Sequence, residues 1–239
     1  MKTIGLIGGM SWESTIPYYR LINEVVRERL GGLHSARIIL YSVDFHEIER
    51  LQETGEWETA GALLAGIAQT LESAGADFLV LCTNTLHKVA AMIESAVRIP
   101  LLHIADPSAE AIRAAGFSTV GLLGTRFTME EAFYRDRLHK THGLRVIVPD
   151  REDREIVHRV IFEELCRGHL AASSRQQYRE IIGNLVDQGA EAVILGCTEI
   201  SLLVEASDAS VPLFDTTRLH ALAAADWALA PSITSHRPQ

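Results

Sequence analysis

The residues able to do chemistry are concentrated in two short stretches. One is Gly189-Ala190-Glu191-Ala192-Val193-Ile194-Leu195-Gly196-Cys197-Thr198-Glu199, an apolar run that delivers one cysteine to a loop with a hydroxyl and a carboxylate behind it. The other is Gly75-Ala76-Asp77-Phe78-Leu79-Val80-Leu81-Cys82-Thr83-Asn84-Thr85, which aligns with the first without a gap at a constant offset of 114 residues, Gly75 to Gly189. In that alignment Thr83 answers to Cys197, and Cys82 answers to Gly196. A free thiol has a pKa of about 8.5, and a helix N-terminus behind Cys197 is expected to lower it, so that the thiolate can serve as a base near neutral pH. The competing explanation is a packed core thiol, since free cysteine is among the most buried residue types. Cys82 alternates to the face opposite Thr83 and is read as core. Cys166 ends the segment 161–166 and is read as helix packing, Gln52 defaults to the surface, and His87, His103 and His169 share no metal-ligand spacing.

The elements that must position these residues also repeat. Thr3-Ile4-Gly5-Leu6-Ile7-Gly8 matches Thr119-Val120-Gly121-Leu122-Leu123-Gly124, and Pro100-Leu101-Leu102-His103 matches Pro212-Leu213-Phe214-Asp215, at nearly the same offset. Internal similarity of this kind predicts two related halves. Strands are expected at 3–7, 37–43, 77–81, 100–104, 119–123, 144–148, 191–195 and 211–214. The intervening segments, among them 128–142, 151–166 and 198–204, carry helical periodicity. Strands alternating with helices imply parallel sheets covered on both faces. The fold class is therefore α/β, with two pseudo-symmetric domains and the active site in the cleft between them. The expected boundaries are 1–98 plus 211–230 for the first domain and 99–210 for the second, with 231–239 a disordered tail. Ligands bind beyond the C-terminal ends of strands in such sheets, so Gly8-Gly9-Met10-Ser11, Thr83-Asn84-Thr85, Gly124-Thr125-Arg126 and Cys197-Thr198-Glu199 should converge. Backbone N–H groups of Asn84, Thr85, Thr198 and Glu199 at helix N-termini would then hold a carboxylate.

Composition narrows the partners. A formal charge of −9 with no basic run argues against nucleic acid and anionic membrane surfaces. The N-terminus shows no secretory pattern, and no apolar run reaches the roughly 20 residues of a membrane span. The 3 cysteines lie far apart without C-x-x-C spacing, so neither a zinc site nor a disulfide framework is indicated. These features lead to the expectation of a reduced, soluble cytoplasmic protein, for which an anionic metabolite remains a possible ligand.

With Gly8-Gly9-Met10-Ser11-Trp12, Asn84-Thr85, Gly124-Thr125 and Gly196-Cys197-Thr198-Glu199 in view, the chain resembles the aspartate/glutamate racemase family over residues 1 to about 230. The resemblance implies a cofactor-independent homodimer that removes the α-proton of an amino acid with one thiolate and returns a proton from a group on the opposite face. Where the family commonly has the first cysteine this chain has Thr83, as in the branch described as L-aspartate/glutamate-specific. The resemblance thus implies Cys197 as base toward the L-substrate and Thr83 as proton donor. Met10, Gln52, Asn84, Thr85, Thr125, Thr198 and Glu199 are the implied substrate contacts. A hydroxyl is a far weaker acid than a thiol, so Thr83 is expected to be a poor base toward D-substrate.

Four alternatives remain open at this stage. A single cysteine opposite a non-thiol also resembles decarboxylases of the same superfamily, and a racemase of broader amino-acid specificity is a further option. A nicotinamide enzyme is disfavoured, because the glycines around Gly5 and Gly8 lack G-x-G-x-x-G spacing and Asp44 lies too far downstream. A non-catalytic amino-acid-binding protein is the fourth.

Overall fold

The computed structural model of this chain describes residues 1–231, so most of the tail expected to be disordered lies outside the described residues. The eight strands are β1 (Ile4–Gly8), β2 (Ile38–Ser42), β3 (Phe78–Leu81), β4 (Leu101–Leu102), β5 (Thr119–Gly124), β6 (Arg145–Ile147), β7 (Ala192–Gly196) and β8 (Leu213–Asp215). They form two parallel four-stranded sheets of equivalent order, β2-β1-β3-β4 and β6-β5-β7-β8. The central strands β1, β3 and β7 are buried at every residue, as expected of near-continuous apolar runs covered on both faces.

The first half carries α1 (Trp12–Leu30), α2 (Phe45–Glu53), α3 (Trp57–Ser73), α4 (Ala90–Ala96) and α5 (Ala105–Ala114). The second carries α6 (Arg126–Glu130), α7 (Ala132–Asp136), α8 (Arg151–Glu163), α9 (Ala172–Asp187), α10 (Ile200–Leu203) and α11 (Thr216–Leu229). Helix α1 buries Tyr18, Ile22, Val25 and Val26, one stripe at helical spacing. Against that stripe α11 brings Ala221, Ala224, Ala225 and Ala228, whose small side chains allow close approach, in one cluster with Ile4, Phe78 and Leu102.

Two strand assignments differ from the sequence-based expectation. β4, expected to open the second domain, pairs with β3 in the first sheet, whereas β8, expected to return to the first domain, pairs with β7 in the second. The helices that follow them do the crossing. α5 packs Ala105, Ala109 and Ile112 with Val120, Leu122 and Ile194 of the second sheet, while α11 covers the first. Each half completes its own sheet and lends its last helix to the other, because a two- or three-residue strand needs only its ladder partner but a helix must bury a whole stripe. The chain therefore passes between the halves at 103–105 and again at Asp215–Thr216.

Three expected helices are shorter or broken. The segment 128–142 is divided into α6, α7 and a π-helical turn at Arg137–Thr141, where Arg137 forks onto Asp106 of α5 with both contacts at 2.6 Å. The segment 151–166 stops as α-helix at Glu163, and a 3-10 turn at Leu165–Arg167 ends on Gly168, whose φ of 73° favours glycine. The helix expected at 198–204 begins only at Ile200 and makes a single turn.

Candidate active site

The C-terminal ends of β1, β3, β5 and β7 meet where the two sheets face each other. Between them is a cavity of about 20 Å³, room for about one water. All nine residues singled out from the sequence line it: Met10, Gln52, Thr83, Asn84, Thr85, Thr125, Cys197, Thr198 and Glu199. Phe45, Ile161, Phe162, Cys166 and Gly196 complete the lining. Gln52 and Phe162 also line an outer cleft of about 1240 Å³ between the halves, whose walls include Glu49, Arg126, His158 and Arg167. Arg126, the strand-tip arginine, thus faces the outer cleft and not the inner cavity.

Close backbone approach builds the β5 and β7 tips. A Cβ on Gly196 would lie 2.8 Å from the Leu123 carbonyl oxygen, and one on Gly124 would lie 2.8 Å from that of Gly196. Glycine at 196 is therefore a steric requirement, and it brings Cys197 directly beside the neighbouring strand end. In the first half the equivalent position is Cys82, fully buried in the core as expected, with its thiol pKa pushed up by burial.

The Glu199 carboxylate, only 2% exposed, is the hub of the Cys197 side. Its Oε2 accepts hydrogen bonds from Cys197 Sγ at 2.9 Å and from Thr198 Oγ1 at 2.7 Å. Its Oε1 accepts from Ser11 Oγ of the first half at 2.8 Å. Burial, and then the Glu199 charge, push the Cys197 thiol well above its ordinary value. This corrects the expectation of a thiol acidified by a helix N-terminus: α10 starts three residues beyond Cys197 and is one turn long, so its dipole is small against desolvation. The resting arrangement is a protonated thiol aimed at a carboxylate.

The Thr83 side is built from neutral groups. The Thr83 N–H donates to Leu81 O at 2.9 Å, and its carbonyl is bonded to His87 Nδ1 at 2.7 Å. Thr216 Oγ1 donates to Leu195 O at 2.9 Å, so it can only accept from Asn84 Nδ2, at 3.0 Å. The Asn84 amide is thereby oriented, and its Oδ1 is buried without a hydrogen-bond partner among the described residues. Such an acceptor on a cavity wall is open to a ligand donor. Thr85 Oγ1 and Thr125 Oγ1 join the halves at 2.9 Å, and Thr125 also caps α6 by accepting from Thr128 N at 3.3 Å.

Sequence reasoning missed two contributors. Cys166, read from the sequence as packing, does pack against the second core, yet with α8 ending at Glu163 the 3-10 turn also brings it to the cavity wall, and burial raises its pKa. His87 was treated as ordinary, although its position four residues beyond Thr83 on a helical turn was the available signal. Ile161 and Phe162 gave none, because nothing local marks which face of α8 meets the other half. Among the described residues no three His, Cys, Asp or Glu side chains are grouped to hold a metal ion, and no helix is long and apolar enough to cross a membrane.

Comparisons with known proteins agree with this geometry. A family described as Asp/Glu/Hydantoin racemase matches residues 7–224. The broad specificity amino-acid racemase RacX of Bacillus subtilis (strain 168) is 26% identical over 221 residues, covering 90% of this chain and 92% of that protein. Among solved structures, a putative Asp/Glu racemase from Yersinia pestis is 61% identical with a TM-score of 0.90, covering 96% of this chain and 100% of that one. An aspartate racemase homologue from Pyrococcus horikoshii OT3 is 37% identical with a TM-score of 0.81, covering 95% and 99%.

Proposed function

The chain belongs to the Asp/Glu/hydantoin racemase family, and from that premise we propose that this isomerase inverts the α-carbon of acidic amino acids without a cofactor, taking L-aspartate or L-glutamate to the D-enantiomer. The observation that carries the reading is the pairing of Cys197, bonded to the Glu199 carboxylate, with Thr83 in one cavity. Glu199 accepts the Cys197 proton, and the thiolate so formed takes the α-proton from the L-face. Forming the thiolate only when substrate is bound offsets the cost that burial imposes on it. The carbanion then receives the Thr83 hydroxyl proton on the opposite face. Thr83 is reprotonated from solvent, and Glu199 releases its proton, closing the cycle. The unpartnered Asn84 Oδ1 supports recognition of the substrate ammonium, and the Thr85 and Thr125 hydroxyls support binding of its α-carboxylate.

A cavity of about 20 Å³ is too small for an amino acid, so binding requires the halves to part at the outer cleft, whose walls mix arginines such as Arg126 and Arg167 with glutamates such as Glu49 and Glu163 and so select no substrate charge by themselves. Among the described residues the inner lining contains no lysine or arginine, and this favours a second reading in which neutral amino acids are also accepted. The enantiomers have equal free energy in achiral solvent, so any one-way behaviour reflects unequal KM values, inhibition or slow reprotonation of Thr83. We place the enzyme in the cytoplasm as a homodimer. The three unpaired cysteines support the first assignment, and the exposed stripe of Trp12, Ile16 and Tyr19 on α1 supports the second.

The deciding experiment is proton NMR of L-aspartate, L-glutamate and a panel of neutral L-amino acids in D₂O with purified protein and no added cofactor, followed by chiral analysis. Loss of the α-proton signal with D-product appearing is the expected result for the acidic pair. Absence of exchange with every substrate would remove the racemase reading, and CO₂ release from a malonate-type substrate would replace it with decarboxylation.

A further inference from the structure

Behind the cavity, on the Thr83 side, lies a cluster of three buried histidines that the proposed chemistry does not use. His87 and His103 have ring centroids 4.3 Å apart, and His87 and His220 are 6.1 Å apart. Each ring is tied to the segment where the chain first crosses between the halves. His87 Nε2 accepts from Ile104 N at 3.2 Å, His103 Nδ1 accepts from Ala105 N at 3.2 Å, and His220 Nε2 is bonded to Leu102 O at 2.9 Å. Tyr18 Oη completes the cluster at 2.9 Å from His220 Nδ1. These partners fix the tautomers. Because a backbone N–H can only donate, His87 Nε2 must carry the lone pair, which puts the proton on Nδ1 and aims it at the Thr83 carbonyl at 2.7 Å.

Resting on the racemase reading, we propose that His87 is a positioning residue: its Nδ1–H holds the Thr83 loop to the inter-domain crossover, so that the Thr83 hydroxyl meets the D-face of the α-carbon when the halves close. Thr83 lies just before Asn84, the N-cap of the 3-10 turn Thr85–Val89, and its own N–H reaches back only to Leu81. The His87 bond is thus the link that ties its carbonyl to the hinge. Cys197 has no counterpart to it, since its thiol is aimed by Glu199. The ring stays neutral at working pH, because burial and the facing His103 and His220 hold its pKa well below the ordinary value.

The test separates the two faces of the reaction. In D₂O, exchange of the L-substrate α-proton reports Cys197, while D-product formation also requires Thr83. His87→Gln keeps an acceptor for Ile104 N–H but loses the Nδ1 donor, whereas His87→Asn keeps a donor near the Nδ1 position. The expected result for His87→Gln is a fall of roughly 10-fold or more in D-product formed per L-exchange event, the scale set by misplacing a reacting group by a fraction of an ångström, with His87→Asn close to wild type. An unchanged ratio in His87→Gln, or an equal loss in both variants, would overturn the proposal. Independently of either variant's folding, ¹⁵N-detected NMR of the wild-type protein should show His87 as the Nδ1–H tautomer, and an Nε2–H tautomer would overturn it too. Wild-type protein showing neither exchange nor racemisation would instead sink the racemase reading itself, and this inference with it.

Discussion

The tips of β3 and β7 occupy equivalent places in two halves of the same strand order, yet they are supported by opposite electrostatics. At the β7 tip, Cys197 is aimed at a buried carboxylate that also collects Thr198 and Ser11. At the β3 tip, Thr83 is backed by an oriented amide and by imidazoles that burial keeps neutral. One side is built to receive a proton and the other to hold a hydroxyl still. On the proposed mechanism the backbone repeat supplies the two groups on either side of the α-carbon, and the side chains behind each group decide which of them acts as base.

The comparison breaks most severely if the base is removed. Cys197→Ala should abolish both L-substrate exchange and racemisation, a loss of roughly 10³-fold or more, read by α-proton exchange in D₂O. Retained exchange would mean that the Cys197 tip is not the L-face. Glu199→Gln keeps an acceptor oxygen for the thiol but removes the proton sink, so kcat should fall roughly 10²-fold near neutral pH and climb with pH as free thiolate forms. A pH–rate profile parallel to wild type would assign Glu199 to substrate binding alone.

On the other tip the effects should be one-sided. Thr83→Ala is expected to lower D-product formation by roughly 10²-fold while L-substrate exchange changes little, which chiral chromatography beside NMR exchange rates would show. Thr83→Cys makes the tips alike and should raise turnover of D-substrate, by about 10-fold with roughly 10²–10⁴ as the ceiling. Because the equilibrium constant stays at one, kcat/KM must remain equal in both directions for every variant.

The smallest expected effect on rate concerns the support of the Thr83 tip. His220 has its pKa lowered from 6.5 to about 4, through burial first, and His103 has its pKa lowered to about 2. Above about pH 6.5 the ring is neutral in folded and unfolded chains, and its contribution to stability is fully present. As pH falls toward 4 the unfolded chain takes up a proton that the folded one refuses, so stability declines by about 3 kcal/mol from His220 alone. Urea unfolding at pH 7 and pH 4 should show this loss, and His220→Gln should flatten it. An equally steep loss in that variant would assign the pH dependence to other groups.

How much was legible in the sequence follows from which forces are local. The repeated Gly-Ala-acid start, the four-residue apolar runs and the polar tips specify strands, their burial and the convergence of their ends, because each depends on residues adjacent in the chain. That was enough to gather eight of the nine candidate residues into one cavity; Gln52, a surface residue by default, is in fact buried in the lining and was indicated only by the family resemblance. The protonation state of Cys197 was not legible, since it depends on desolvation by side chains from distant segments and on where α10 begins. The roles of Cys166 and His87 were hidden for the same reason: one depends on a helix stopping three residues early, the other on a crossover segment folding against its ring. The sequence reading sent α5 to the second half and α11 to the first, where they pack, but assigned β4 and β8 to the same halves as those helices, because a two- or three-residue apolar strand records that it must be paired and not in which sheet. The sequence by itself determined the strands and the candidate groups at their tips. Tertiary packing decided which group can lose its proton, because pKa and hydrogen-bond direction are properties of the surroundings that only the folded chain assembles.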